Sequence, residues 1–323
     1  MRVHWIVPGS PVMVLADGKP DLHFPGTSGW CWEEACWAGE HTGPNDILAL
    51  GLGYEPEVVV ISPEGMVPPL LTQVLALPPA VTLLLRCVGA PADNDVWAAV
   101  GAICPRLARV AVLSDVERRT FEPWSRVRGF KGTVTCIPLG ARVLPGLPTS
   151  LRQGVAFLGR PFWREKGVGL LLEAAKQLPR IPFFFATPRH TNVELNQPLL
   201  DAAKQLPNVA LTTCGISGRA SLLQAVRIAA VAGETDWQWL PGTEIRGAHG
   251  VGLARWGTPL QEWNGNGLDY FKTVSDLVDA IRDYHVYDGA FESEAARQHG
   301  KFLDGGFDSE TVGKKLWAWV NGA

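Results

Sequence analysis

Residues 154–175 read Gly154-Val-Ala-Phe-Leu-Gly159-Arg160-Pro-Phe-Trp-Arg164-Glu165-Lys166-Gly167-Val-Gly-Leu-Leu-Leu-Glu173-Ala174-Ala175. Val155–Leu158 is an unbroken apolar run, the pattern of a short strand buried on both faces. After Gly167 the period changes, and Val168, Leu171, Leu172 and Ala175 share one helical face. Between strand and helix lies a polar loop with Arg160, Arg164 and Lys166. Cations and a helix N-terminus at a strand's carboxyl end make an anion site. Arg160 can grip a phosphate with two donors, and Lys166 adds a point charge.

The same strand–helix grammar repeats on either side. Apolar runs predict strands at Val3–Val7, Val58–Ile61, Val81–Leu85, Val110–Leu113, Val134–Ile137, Pro182–Ala186, Val209–Thr212 and Ile228–Val231. Helical periods fall at Gly167–Leu178, Leu195–Leu206, Arg219–Ala230 and Asp276–Tyr284, with a last one at Ser309–Val320 beginning near a Ser309 cap. The segment Ala-Ala-Lys-Gln-Leu-Pro occurs at 174–179 and again at 202–207, each time reading as a helix stopped by proline. Alternating strand and helix predicts an α/β fold of two Rossmann-like, doubly wound parallel-sheet domains facing a cleft. The linker Ala141–Arg152 has Pro145, Gly146 and Pro148 and no period. It divides the chain into domains 1–145 and 146–323, with the last helix available to pack back on the first domain.

Composition narrows the function. The 323 residues carry a net charge of −3, which excludes a wholesale basic coat for nucleic acid but not a local patch. No apolar run is long enough to span a bilayer. Met1–Pro8 reads as a first strand, too short for an export signal, so a cytoplasmic protein is expected. Six cysteines form no Cys-x-x-Cys pair and have no histidine at zinc-finger spacing, so they read as reduced thiols.

The quoted segment resembles the donor-binding strand–loop–helix of GT-B glycosyltransferases, especially the retaining family four. That pattern is Gly-Arg, a short loop, Glu-Lys-Gly and an apolar helix. The resemblance implies that Gly159, Arg160 and Lys166 meet the diphosphate of a nucleotide-sugar donor. Other landmarks follow in order. Ile137-Pro138-Leu139-Gly140-Ala141-Arg142 resembles the signature closing the N-terminal domain, and Val110–Ser114 with Glu117-Arg118-Arg119 resembles the strand before it. Gly215-Ile216-Ser217 matches a strand-end loop near the nucleotide base, so Gly215 and Ser217 join the donor-binding set.

The family also carries Glu-x7-Glu, with Gly-Thr-Pro five residues after the second Glu. Gly257-Thr258-Pro259 is intact here, and Gly257 and Thr258 are counted as donor-binding. Counting back from it puts Glu244 in the place of the first Glu, which contacts the transferred sugar, and Gly252 in the place of the second, which holds the ribose. His249 in the same polar stretch is a weaker candidate base. Where the family often has a histidine near the reaction centre, this chain has Arg86.

In the first domain, Gly26 and Gly29 precede a helix-like segment, Cys31–Gly39. A glycine loop there lets backbone N–H groups approach a diphosphate, and a plain turn is the other reading. Glu33 and Glu34 follow, favourably placed for a helix N-terminus. From Arg106 to Arg142 eight cations face three acids, with Phe121, Trp124 and Phe130 interleaved. That patch makes Arg126 and Arg128 acceptor-binding candidates, with a nucleic-acid acceptor in view. A charged helix face over core aromatics explains the same residues.

The expected activity is transfer of a sugar from a nucleotide-sugar to an acceptor hydroxyl, retaining and without a metal, since two cations and a helix dipole can meet the charge of the leaving diphosphate. No further cofactor is expected. Three other readings stand beside it: a DNA-modifying glycosyltransferase acting on hydroxymethylated bases, a sugar-nucleotide epimerase, and a non-catalytic nucleotide-sugar binder. The sugar, the nucleotide, the acceptor and the oligomeric state are not specified by these residues.

Overall fold

A computed structural model describes residues 3–6, 13–15, 58–61, 63, 68–87, 91–158, 167–187, 197–213, 216–233, 240–258, 261 and 267–322. The described chain divides into two compact units. Unit 1 takes the residues up to Leu139 together with those from Val312 onward, and unit 2 takes Gly140–Thr311.

Unit 1 is built on a six-stranded sheet. Strands β1 (Val3–Ile6), β3 (Val58–Ile61), β4 (Thr82–Arg86), β5 (Leu107–Val112) and β6 (Thr133–Cys136) run parallel in that order, and β2 (Met13–Leu15) pairs antiparallel with β1. The unbroken apolar runs are explained by burial on both sides. Val59, Ile61, Leu83 and Leu85 share a core with α1 (Pro68–Ala76), α2 (Asp95–Ile103) and α3 (Asp115–Arg126). Val58, Val60, Leu84 and Ala111 face the other way, onto Val312, Leu316, Trp319 and Val320 of α10 (Ser309–Asn321). Losing a buried tryptophan such as Trp319 would cost about 3–5 kcal/mol. Arg109 of β5 closes the contact by donating to the Val320 carbonyl at 2.9 Å, in the last turn of α10. The cap at the start of α10 is Asp308 and not Ser309, because the Asp308 carboxylate accepts from Thr311 N at 2.9 Å.

Unit 2 carries the second six-stranded sheet, all parallel, in the order β12-β11-β10-β7-β8-β9. These are β7 (Val155–Leu158), β8 (Phe183–Thr187), β9 (Val209–Thr213), β10 (Ile228–Val231), β11 (Val251–Arg255) and β12 (Asp269–Phe271). Numbered from the first, the order is 3-2-1-4-5-6, the doubly wound arrangement. The crossing helices are α4 (Val168–Gln177), α5 (Gln197–Lys204), α6 (Ile216–Ala225), α7 (Leu240–Gly247), α8 (Val274–Val286) and α9 (Asp288–Asp304). Helix α8 packs on α4, which also meets α5, while α9 packs on α7 and β11. The repeated Ala-Ala-Lys-Gln-Leu-Pro segments are helix ends, closing α4 and α5. The helix expected at Arg219–Ala230 stops at Ala225, because Ile228–Val231 is a central strand. The polar stretch 243–252 is a helix end followed by β11, which its glycines hid.

The expected linker is not a free tether. Residues 140–152 pack within unit 2, where Ala141 N donates to Phe307 O and Leu144 N to Gly247 O. Its last residue, Arg152, is buried. Its guanidinium donates to Leu223 O and Val226 O at the end of α6, and to Ala248 O and His249 O beyond α7. One cation thus satisfies the orphan carbonyls and negative ends of two helices. Burial pulls its pKa down to about 10, still far above neutrality.

His285 is built in as a neutral ring, and the surroundings of His249 disfavour its charged form. His285 Nε2 accepts from Gly154 N–H at 2.9 Å, so Nδ1 carries the proton and donates to Ile281 O at 2.8 Å. His249 stacks on His299 with ring centroids 3.8 Å apart. Burial lowers the pKa of both, and His299 and Arg152 lower that of His249 further. The unfolded chain therefore binds protons first as pH falls, so this stability is present above about pH 6.5 and is lost on acidification. The urea midpoint is expected to fall between pH 7 and pH 5.5, and the fall to shrink in His285→Gln. An equal fall in both proteins would show that His285 does not titrate as described.

Candidate functional site

In a doubly wound sheet the crevice lies outside the carboxyl ends of the two strands where the winding reverses. In unit 2 those strands are β7 and β10, paired through Val155↔Ile228 and Ala156↔Ala229. The chain leaves β7 at Leu158 and enters α4 at Val168. Segment 159–166, with Gly159, Arg160 and Lys166, therefore joins two elements that meet at the switch point. Those three residues themselves lie outside the described residues.

Gly167 fixes that geometry. It caps α4 at φ 64°, a left-handed conformation that favours glycine. A Cβ there would stand 2.2 Å from the carbonyl oxygen of Ala232, the residue following β10. Only the bare backbone lets the amino end of α4 seat against the end of β10. Gly167 also offers no side-chain cap, so Val168 and Gly169 begin the helix with N–H groups that no intrahelical carbonyl takes. The result is a positive helix end aimed at the crevice edge.

Glu244 lies in α7, the helix after β10. Its Oε2 accepts from Arg219 Nε at 2.7 Å, and Arg219 Nη2 stands 2.5 Å away. Arg219, in the first turns of α6, is 3% exposed and Glu244 12%, so the pair is desolvated and orientation-specific. Removing one partner from such a pair would cost about 3–5 kcal/mol. Sequence reading missed Arg219, whose signal is a lone cation in a helix of small and apolar residues.

The reading anchored on Gly257 is corrected. Gly252 is not a lost ribose ligand but the second residue of β11, where an added Cβ would meet Leu268 at 2.5 Å. Its N–H and C=O bond the buried Gln298 amide at 2.8 and 3.2 Å, because β12 pairs with β11 only from Leu253 onward. Gly257 and Thr258 lie past the end of β11. Gly257 turns at φ 78° with its N–H on Gln261 Oε1, and the Thr258 hydroxyl donates to Arg255 O at 2.9 Å. Counted from α7 instead, Asp236 and Glu244 supply an acid-x7-acid spacing that the Gly257 register concealed. Asp236 lies outside the described residues.

The remaining candidates divide plainly. Gly26, Gly29, Glu33, Glu34 and Gly215 lie outside the described residues, and Ser217 is already inside α6 rather than in a loop. His249 sits before β11, at the amino edge of the sheet, opposite the crevice, which removes it as a base there. In unit 1, Arg126 donates to Phe130 O and lies 4.9 Å over the Phe130 ring. Arg128 donates to Trp124 O and lies 4.4 Å over the Trp124 ring. Phe121 is a core residue in contact with Trp97, Trp124 and Phe130, and Phe130 is buried beside it, so neither is a stacking face for bases. Arg86 is buried at the end of β4, donating to Val112 O and Pro138 O. The described cysteines Cys87, Cys104 and Cys136 are free thiols, and burial pushes Cys104 and Cys136 up to about 11. Among the described residues no three His, Cys, Asp or Glu are grouped to hold a metal ion, and no helix is long and apolar enough to cross a membrane.

No protein-family model matches the chain, and no curated protein matches it in sequence. Solved structures do match it in fold. A sucrose-phosphate synthase from Thermosynechococcus elongatus superposes with TM-score 0.68 at 12% identity, over 86% of this chain and 76% of that one. HepE from Anabaena, solved in complex with UDP-glucose, gives 0.68 at 12% identity over 86% and 82%. A UDP-forming trehalose-phosphate synthase from Burkholderia xenovorans gives 0.62 at 10% identity over 88% and 77%.

Gly167→Ala is expected to lower stability by about 2 kcal/mol or more, from the positive φ and the clash with Ala232. A urea midpoint equal to wild type would refute the tight seating of α4. At 10–12% identity the likeness is one of architecture, and it shows that the chain has the GT-B fold of two Rossmann-like α/β units.

Proposed function

We propose that this chain is a glycosyltransferase that takes a nucleoside-diphosphate sugar on unit 2 and passes the sugar to an acceptor hydroxyl. One observation carries the reading. The amino end of α4, to which Gly167 offers no side-chain cap, is wedged at the β7/β10 switch point, directly after the segment holding Arg160 and Lys166. A diphosphate there would meet first-turn amides, a guanidinium and an ammonium together.

The leaving diphosphate gains negative charge as the glycosidic bond breaks. Donors already in place stabilise that charge without reorganising. Two cations and a helix end can do this alone, so the reading is metal-independent. Glu244, steadied by Arg219, is assigned to the ribose, and Asp236 to the transferred sugar. These assignments, and a retaining outcome, rest on the family resemblance. The HepE complex with UDP-glucose supports a nucleotide-sugar donor by likeness of fold. Arg126 and Arg128 are held against their own aromatic neighbours, so nothing in their placement favours a nucleic-acid acceptor over another.

Arg160→Ala and Lys166→Ala are each expected to slow release of nucleoside diphosphate from the sugar nucleotide by about 100-fold or more, with Tm unchanged. Near-wild-type turnover in both would remove the leaving-group assignment.

A further inference from the structure

Among the described residues, the strongly exposed aromatic side chains are Trp256 and Tyr287. Tyr287 follows α8, at the amino edge of the unit 2 sheet. Trp256 follows β11, at the carboxyl edge, one strand beyond β10. It is 48% exposed, yet it is held firmly. Its backbone N–H donates to Phe271 O at 2.8 Å, completing the β11–β12 ladder just past Arg255. Tyr270 meets the indole edge-on, with ring centroids 5.9 Å apart at 87°. Lys272 Nζ lies 5.1 Å from the ring centroid. Beyond it the chain turns through Gly257, around which a Cβ would meet no described residue within 4 Å. An indole is thus fixed in direction, open on one side, and accompanied by an ammonium.

We propose that Trp256 and Lys272 form a subsite for the transferred sugar of the donor. This rests on the donor reading given above. The flat indole face suits the C–H face of a pyranose, and Lys272 can donate to a ring hydroxyl or to an anionic substituent. The reach favours the sugar over the base. Strands lie about 4.8 Å apart, so β11 stands roughly 7 Å from the midline between β7 and β10. The sugar is bonded directly to the diphosphate and comes within that span, whereas the base is set back by a ribose. Trp256 contacts the donor without taking part in bond cleavage, so its effect falls on binding.

Isothermal titration of the full chain tests this with UDP, GDP and ADP and the glucose conjugate of each. In wild type the best conjugate binds, and so does its parent diphosphate. Trp256→Ala is expected to weaken the conjugate about tenfold while leaving the diphosphate within twofold, and Trp256→Phe to keep most of the affinity. Equal weakening of both ligands, or no weakening of the conjugate, would overturn the subsite and leave the donor reading standing. Wild type that binds none of the six would overturn the donor reading and the subsite with it.

Discussion

The amino end of α4 reaches the sheet edge because residue 167 has no side chain. The contact between Gly167 and the Ala232 carbonyl sets where the first-turn amides point, and so where an anion can be held. Everything proposed for the chain's chemistry inherits that position. Arg160 and Lys166 matter because their segment begins at the end of β7 and ends at this glycine. Glu244 and Trp256 matter because α7 and β11 flank the same edge.

Unit 2 separates its tasks between the two edges of one sheet. At the amino edge, buried guanidinium groups replace the water that helix ends would otherwise need. Arg152 ties the carbonyls closing α6 and α7, while Arg227 donates to Arg152 O and Tyr284 O and pairs with Asp288 at 2.7 Å. Such groups are costly to bury and costly to remove, so they hold the helices in one arrangement. At the carboxyl edge the balance differs. Gly167 supplies backbone and no cap, Trp256 stays open to solvent, and the buried Arg219–Glu244 pair ties α6 to α7.

The strands were the most legible part of the sequence. Runs such as Val58–Ile61 and Val155–Leu158 are apolar at every position because helices cover both faces, and that pattern has no competing reading at such length. The missed strands are short or interrupted: β2 and β12 have three residues each, and β11 contains Gly252. Glycine there answers to Leu268 packing and to the Gln298 amide, neither of which leaves a trace in local sequence. The start of α4 was legible where backbone chemistry dictates it, with Gly167 opening an apolar helix. A register set from the three residues Gly257-Thr258-Pro259 put Gly252 in a ribose-binding place, whereas Gly252 lies inside β11. Arg152 and Arg219 were invisible for a general reason: their partners stand 74 and 25 residues away, as Val226 and Glu244.

The central claim is that the first turn of α4 binds a diphosphate. Amide hydrogen exchange, followed residue by residue with and without saturating UDP, GDP or ADP, addresses it directly. The account predicts slower exchange at Val168, Gly169 and Leu170 with the best of these ligands, and no change at amino-edge amides such as Arg152 and Val251. Unaltered exchange through 168–170 while protection appears elsewhere would contradict it.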